Sequence, residues 1–324
     1  MLARVLGVGS AVPARRVANE DLASRVETSD EWIRSRTGIR ERRVLGRDER
    51  LIDLMESAAR GALERAGLAA GDLDAIVVGT VSGEYAFPST ACELQARLEI
   101  DRIAAFDVSA ACSGFVFALS TASAHIRAGD FGTVLVVGAD ALTTMVDWTD
   151  RRTCVLFGDG AGAVVLRGCE GDRGVLASAL HASGSMAELL YVRNGVRGGF
   201  ESEVQPPARD CIQMKGPEMF RWAVRCMSDV ALELLDRAKL GAADVDLVVP
   251  HQANRRIIDA VRERLGLEPQ KVFVNVDTYG NTSAASVPIA LDEAARGGRL
   301  AAGHVVLLLA CGGGLTWSGA LIRW

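Results

Sequence analysis

A self-match constrains this chain more than any other feature of it. Leu63–Thr80 (LERAGLAAGDLDAIVVGT) aligns without gaps on Leu235–Gln252 (LDRAKLGAADVDLVVPHQ), with eight of eighteen positions identical at an offset of 172. Gly132–Ala139 (GTVLVVGA) then matches Gly303–Ala310 (GHVVLLLA) at an offset of 171. Two matches at nearly one offset imply a duplication. Each copy reads helix, turn, buried strand, loop, helix, buried strand, which is α/β patterning with a mostly parallel sheet. We therefore expect two related halves, 1–170 and 171–324, packed about a pseudo-twofold axis. The 324 residues, 49% of them hydrophobic, supply ample core for this.

The duplication also places a site. The strand Ile103–Asp107 runs into Ser109-Ala-Ala-Cys112-Ser-Gly114, and an apolar, Ala-rich helix follows. A cysteine in the first turn of a helix faces unpaired N–H groups and the positive end of the dipole, and both favour the nucleophilic thiolate. The plainer alternative is a small buried hydrophobe. In the second copy, the strand Val272–Val276 leads to Tyr279-Gly-Asn281-Thr-Ser-Ala284, and Asp246–Pro250 leads into His251-Gln-Ala-Asn254. Ligands in open α/β sheets bind beyond the carboxyl ends of strands. Cys112, His251 and Asn281 all lie just past such ends, so three loops can bring them to one crevice.

Composition excludes several classes. The formal net charge of −5 argues against nucleic acid as the main partner. Seven cysteines without CxxC pairs argue against a zinc or other metal site and against a disulfide framework, and they fit a reducing cytoplasm. Met1–Gly9 reads as a first strand rather than a signal peptide. No apolar run approaches the ~20 residues that span a bilayer, so no membrane role is expected. Arginines nonetheless cluster at 34–43, 151–152 and 255–264, which suits a polyanionic ligand or an acidic partner at one face. Two glycine-rich runs are not nucleotide cradles. Gly7-Val-Gly-Ser-Ala-Val-Pro13 has proline where a helix should open, and Phe157-Gly-Asp-Gly-Ala-Gly162 leads into a strand.

The motifs, taken in order, resemble those of β-ketoacyl-acyl-carrier-protein synthase III along essentially the whole chain. They are Thr28–Arg42 (TSDEWIRSRTGIRER), Ala111–Gly114, Phe157–Gly162, Pro250–Asn254, Gly280–Ser286 and Gly312–Trp317. The resemblance implies a duplicated thiolase-like α-β-α-β-α layered fold and a homodimer. It also implies an acyl-CoA condensed with malonyl-acyl-carrier protein, priming fatty-acid synthesis without a cofactor, the CoA thioester being a substrate. By the same resemblance Cys112, His251 and Asn281 form the triad, and the backbone N–H groups of Cys112 and Gly314 form an oxyanion hole. Thr28, Trp32, Arg36 and Arg151 are then CoA contacts, with Trp32 and Arg151 on either face of the adenine. Phe157 lines the acyl pocket, Phe87 reaches the partner subunit's pocket, and Gln252 with Arg256 meets the carrier protein. The stretch Val192–Asp210 matches no motif, leaving the acyl group open. Two other readings stand beside this one: a same-fold acyltransferase of specialised metabolism with another acceptor, and a non-catalytic subunit, against which the intact Cys112 speaks.

Overall fold

The computed structural model describes residues 1–193 and 210–324. Two mixed sheets form its centre. The first half contributes β1 (Leu2–Ala11), α1 (Asp30–Thr37), α2 (Leu51–Ala66), β2 (Ala75–Gly79), β3 (Ala104–Val108), α3 (Gly114–Ala128), β4 (Thr133–Ala141) and β5 (Asp159–Cys169). The second contributes β6 (Gly174–Ala182), α4 (Gly216–Ala238), β7 (Leu247–Pro250), α5 (Arg255–Arg264), α6 (Ser286–Arg296), β8 (Val305–Gly312) and β9 (Thr316–Arg323).

The first sheet runs β1-β5-β4-β2-β3 and the second β6-β9-β8-β7. In both, two antiparallel pairings are followed by a parallel one. The sheets are thus mixed rather than mostly parallel. Only a short turn separates β8 from β9, and such a turn can join antiparallel neighbours only.

Side chains alternate across these strands. Val134 and Val136 of β4 belong to a core cluster with Phe115, Leu119 and Ile126 of α3, Leu291 of α6, and Val306 and Leu308 of β8. Helices α3 and α6 are therefore sandwiched between the sheets. Leu135 and Val137 point the other way, onto Met55, Ala58 and Ala62 of α2. Leu307 and Leu309 likewise meet Met227, Val230 and Leu234 of α4. The result is five layers, α-β-α-β-α, the thiolase-like arrangement.

Two expectations change. Val134 stands opposite Ala75 in the first sheet and Val306 opposite Leu247 in the second, so the offset is 172 here too, not 171. Strands β4 and β8 are buried at every position, and a run buried on both faces carries no mark of a one-residue slip. The expected strand Val272–Val276 shrinks to a single bridge, Val272 to Val248. Gln252 Oε1 accepts the N–H groups of Asn275 (3.0 Å) and Val276 (3.2 Å), drawing the chain away from the sheet.

Candidate active site

Both central helices are entered through a tight turn, Ala111–Ser113 before α3 and Ser283–Ala285 before α6. The first residue of each turn takes a left-handed φ, 47° at Ala111 and 53° at Ser283, a conformation that non-glycine residues adopt only when their surroundings hold them in it. Each turn presses on a strand of the opposite half. A Cβ at Gly312 would fall 2.6 Å from the Cys112 nitrogen, and one at Gly138 would fall 2.3 Å from the Ala284 oxygen. The turns meet each other as well, with Ser283 Oγ 3.4 Å from Cys112 Sγ.

Cys112, His251 and Asn281 line one cavity. All three are nearly enclosed. Burial pushes the Cys112 thiol up to about 12, and the Asp140 carboxylate adds to the rise. This corrects the expectation from sequence: in this setting, desolvation outweighs the helix-start effect that favours a thiolate. Burial lowers His251 to about 4, so its imidazole is neutral at physiological pH. His251 Nδ1 lies 2.6 Å from Ser286 Oγ, which also accepts the Gln252 N–H at 3.4 Å. When the Ser286 hydroxyl donates to Nδ1, the ring proton sits on Nε2. Asn281 Oδ1 accepts the Ser283 N–H at 2.9 Å, which leaves Nδ2 as the group it offers. The site therefore holds one thiol and two neutral N–H donors, the complement of an acyl acceptor beside an enolate.

The backbone of Asn281 is tied to the Phe157 loop. Asn281 N–H donates to Leu156 O (2.8 Å), and Gly158 N–H donates to Asn281 O (3.0 Å). Beneath this loop lies Arg42, fully buried, donating to Val17 O, Asn19 Oδ1 and Val155 O. Burial lowers it to about 10.

The cavity opens past Trp32, Arg36, Arg151, Arg152, Arg221 and Arg256. The three arginine clusters of the sequence each send a member to this mouth. Others are neutralised locally, Arg34 by Asp30, Arg40 by Asp277 and Arg255 by Asp259. Arg36 lies 4.5 Å and Arg151 5.0 Å from the Trp32 ring centroid. Thr28, one residue before the α1 cap Ser29, does not line the cavity. Phe157 borders both this cavity and a second one behind Cys112, which Leu142, Met145, Tyr191, Ile212 and Gly314 enclose. Phe87 is 87% exposed and lines neither. Gln252 is a correction: it is 1% exposed, with its amide on Pro250 O and Phe273 O and its carbonyl on Asn275 and Val276. It braces the His251 loop and cannot meet a carrier protein.

Two family models match the chain, 3-oxoacyl-acyl-carrier-protein synthase III at residues 106–184 and the C-terminal model of the same synthase at 235–324. The β-ketoacyl-acyl-carrier-protein synthase III of Xanthomonas campestris is 52% identical over 321 residues, 99% of this chain and 98% of the relative. The chain belongs to this synthase III family. The synthase of the same name from Xylella fastidiosa is 52% identical over 326 residues, covering 100% and 99% of the two chains. The crystal structure of the Aquifex aeolicus 3-oxoacyl-acyl-carrier-protein synthase III superposes with a TM-score of 0.93 at 46% identity, covering 99% of this chain and 100% of that one. As a synthase III, the chain is a condensing acyltransferase. No helix among the described residues is long and apolar enough to cross a membrane.

Sequence reasoning missed four side chains of this synthase III site: Ser283, Ser286, Asp140 and Arg221. For the serines a signal existed. Ser283 and Ser286 are the offset-172 counterparts of Ala111 and Gly114, on either side of Ala284, the counterpart of Cys112.

Proposed function

We propose that this chain primes fatty-acid synthesis by moving an acyl group from acyl-CoA to Cys112 and condensing it there with malonyl-acyl-carrier protein. The observation that carries the residue roles is that Cys112, His251 and Asn281 line one cavity whose mouth is rimmed by Trp32 and arginines. Full-length likeness to synthases III, with a complete Cys-His-Asn set, leaves the readings of another acceptor or a non-catalytic subunit without support.

The CoA nucleotide binds at the mouth, its phosphates on Arg36, Arg151 and neighbouring guanidiniums, with Thr28 at the periphery. Adenine between Trp32 and Arg151 needs about 7 Å, two contact distances. Arg151 therefore moves outward by about 2 Å as the base enters. The Cys112 sulfur attacks the thioester carbonyl, and the backbone N–H groups of Cys112 and Gly314 hold the developing oxyanion. The acyl chain lies in the second cavity, against Phe157. CoA then leaves as the thiol, and the malonyl group of the carrier protein enters by the same mouth past Arg256. Loss of carbon dioxide puts charge on the malonyl thioester oxygen. His251 Nε2–H and Asn281 Nδ2–H stabilise this enolate while its carbon attacks acyl-Cys112. The protein works as a cytoplasmic homodimer in which Phe87 floors the partner subunit's acyl cavity, and it uses no cofactor.

The test is intact-mass measurement after incubation with a panel of acyl-CoAs, followed by addition of malonyl-carrier protein. The reading requires a single acyl adduct on Cys112 and carbon dioxide release stoichiometric with its loss. An adduct elsewhere, or none, overturns it. Sedimentation as a monomer at working concentration removes the role given to Phe87.

A further inference from the structure

The reaction leaves one proton unassigned. Cys112 is a thiol at rest, and it must lose its proton when it is acylated. His251 is ill placed to take it, because its Nδ1 is committed to Ser286 and its ring resists protonation in so dry a site. The hydroxyl against the sulfur belongs to Ser283, at 3.4 Å, and it lies beside the Asp140 carboxylate, whose Oδ2 accepts the N–H of the next residue, Ala284, at 3.2 Å.

Asp140 is the penultimate residue of β4 and is fully buried. Its Oδ1 accepts the Val81 N–H (2.9 Å) and the hydroxyls of Ser82 (2.8 Å) and Thr80 (3.2 Å), and its Oδ2 accepts the Ala284 N–H (3.2 Å). Thr80 Oγ1 accepts the Ser82 N–H and Ser82 Oγ accepts the Ala141 N–H, so both hydroxyl protons are aimed at the carboxylate. A shell made of donors fits an ionised acid. Asp159, the neighbouring carboxylate that feels its charge, is occupied by Thr143 and the Leu45 N–H.

We propose that Asp140, acting through the Ser283 hydroxyl, takes the Cys112 proton during acyl loading, stores it through the life of the acyl-enzyme, and returns it when condensation frees the cysteine. This rests on the reading of Cys112 as the acylated residue. In loading, the S–H proton passes to Ser283 Oγ as the Ser283 proton passes to Asp140, the sulfur bonds to the acyl carbon, and the CoA C–S bond breaks. The departing CoA thiolate takes its proton from solvent. In condensation, malonyl loses carbon dioxide, the enolate carbon bonds to the acyl carbon, and the Cys112–acyl bond breaks. The freed thiolate recovers its proton from Asp140 by way of Ser283. The sum consumes one solvent proton per turnover, as the overall reaction requires. The Cys112–Asp140 pair carries one negative charge at rest and none in the acyl-enzyme: the departing CoA thiolate takes that charge away, and the malonyl-derived enolate brings it back. Burial pushes the Asp140 carboxyl above its usual range against the pull of its donors, which makes it a better proton acceptor than a surface aspartate.

The test is single-turnover loading with acetyl-CoA alone, near pH 7 in weak buffer with an indicator dye, with intact mass followed in parallel. Wild type is expected to take up close to one solvent proton per acetyl group gained. A carboxylic-acid C=O band should rise in the infrared difference spectrum and shift in D₂O. Ser283→Ala keeps the backbone N–H that orients Asn281, and alanine already occupies the same φ region at Ala111. This variant should load roughly 100-fold more slowly, without the proton uptake or the band. No uptake in wild type, or undiminished uptake in Ser283→Ala, overturns the proposal, as does acylation without the acid band. Absence of any acetyl adduct on wild-type Cys112 instead overturns the acyl-transfer reading beneath it. The wild-type infrared and proton measurements decide the matter even if the variant does not fold.

Discussion

Laid over one another at offset 172, the two halves differ at the positions that matter. Cys112 corresponds to Ala284, Gly79 to His251, Gly114 to Ser286, Ala111 to Ser283 and Asp140 to Gly312. In the first half Gly79 and Gly114 pack backbone to backbone, and a Cβ on Gly79 would lie 2.3 Å from the Gly114 carbonyl carbon. In the second half the same two positions hold a side-chain pair, His251 Nδ1 and Ser286 Oγ at 2.6 Å. One scaffold thus carries a thiol on one side, over glycine, and a set of neutral donors on the other. Duplication supplied the geometry twice, and in the proposed mechanism divergence at six positions, Ser109 against Asn281 being the sixth, gives acyl transfer to one half and enolate stabilisation to the other.

The sharpest way to break this comparison is to exchange the two turns. Cys112→Ala should lower acyl loading by on the order of 10⁶-fold, the scale of losing a covalent nucleophile. Adding Ala284→Cys should not restore it, because residue 284 is fully buried and its turn is closed by Gly138 and Asp140. Intact mass reads both variants. An acyl adduct on the cysteine introduced in place of Ala284 would make the halves interchangeable and erase the division of labour.

A second prediction uses the burial of the donor half. His251 is held at about 4, below its ordinary 6.5. Between those values the unfolded chain binds a proton that the folded one does not. The stability at stake is present in full above pH 6.5 and is lost as pH falls toward 4, by roughly 3 kcal/mol. Urea midpoints across this range should fall more steeply for wild type than for His251→Asn. Equal slopes would mean that His251 titrates freely and is not the enclosed neutral donor described above.

The smallest effect belongs to the position that distinguishes His251 from Gly79. Ser286→Ala removes the hydroxyl that fixes the imidazole tautomer. A single such hydrogen bond is worth ~1 kcal/mol, so condensation should slow by roughly fivefold to tenfold with loading unchanged. If loading falls equally, Ser286 supports the fold of both turns rather than the donor.

Much of this was legible in the sequence, and the remainder failed for identifiable reasons. The duplication and the placement of Cys112, His251 and Asn281 past strand ends followed from periodicity and loop position. Strand register between β4 and β8 did not, since Val and Leu runs buried on both faces read alike at offsets 171 and 172. The sequence assigns Gln252 to the carrier protein because it matches the family's contact position just after His251, beside a basic helix start. Only the structure shows its amide filled by Pro250, Phe273, Asn275 and Val276. The ionisation of Cys112 was misjudged for a related reason: the helix start is a local signal, whereas burial is set by the whole fold. Ser283 and Cys112 are 171 residues apart in sequence, and no local pattern reveals that their turns touch.

The division between the halves is tested most directly by Asn281→Ala in a single-turnover experiment that follows both half-reactions, acyl transfer from labelled acyl-CoA and carbon dioxide release from malonyl-carrier protein. In the proposed mechanism loading depends on the Cys112 sulfur and backbone donors, whereas decarboxylation depends on the His251 and Asn281 side chains. Removing one charge-stabilising donor typically lowers a rate by ~10²–10³-fold. Carbon dioxide release should therefore fall by about that factor while most of the loading survives. Equal losses in both half-reactions would contradict the account.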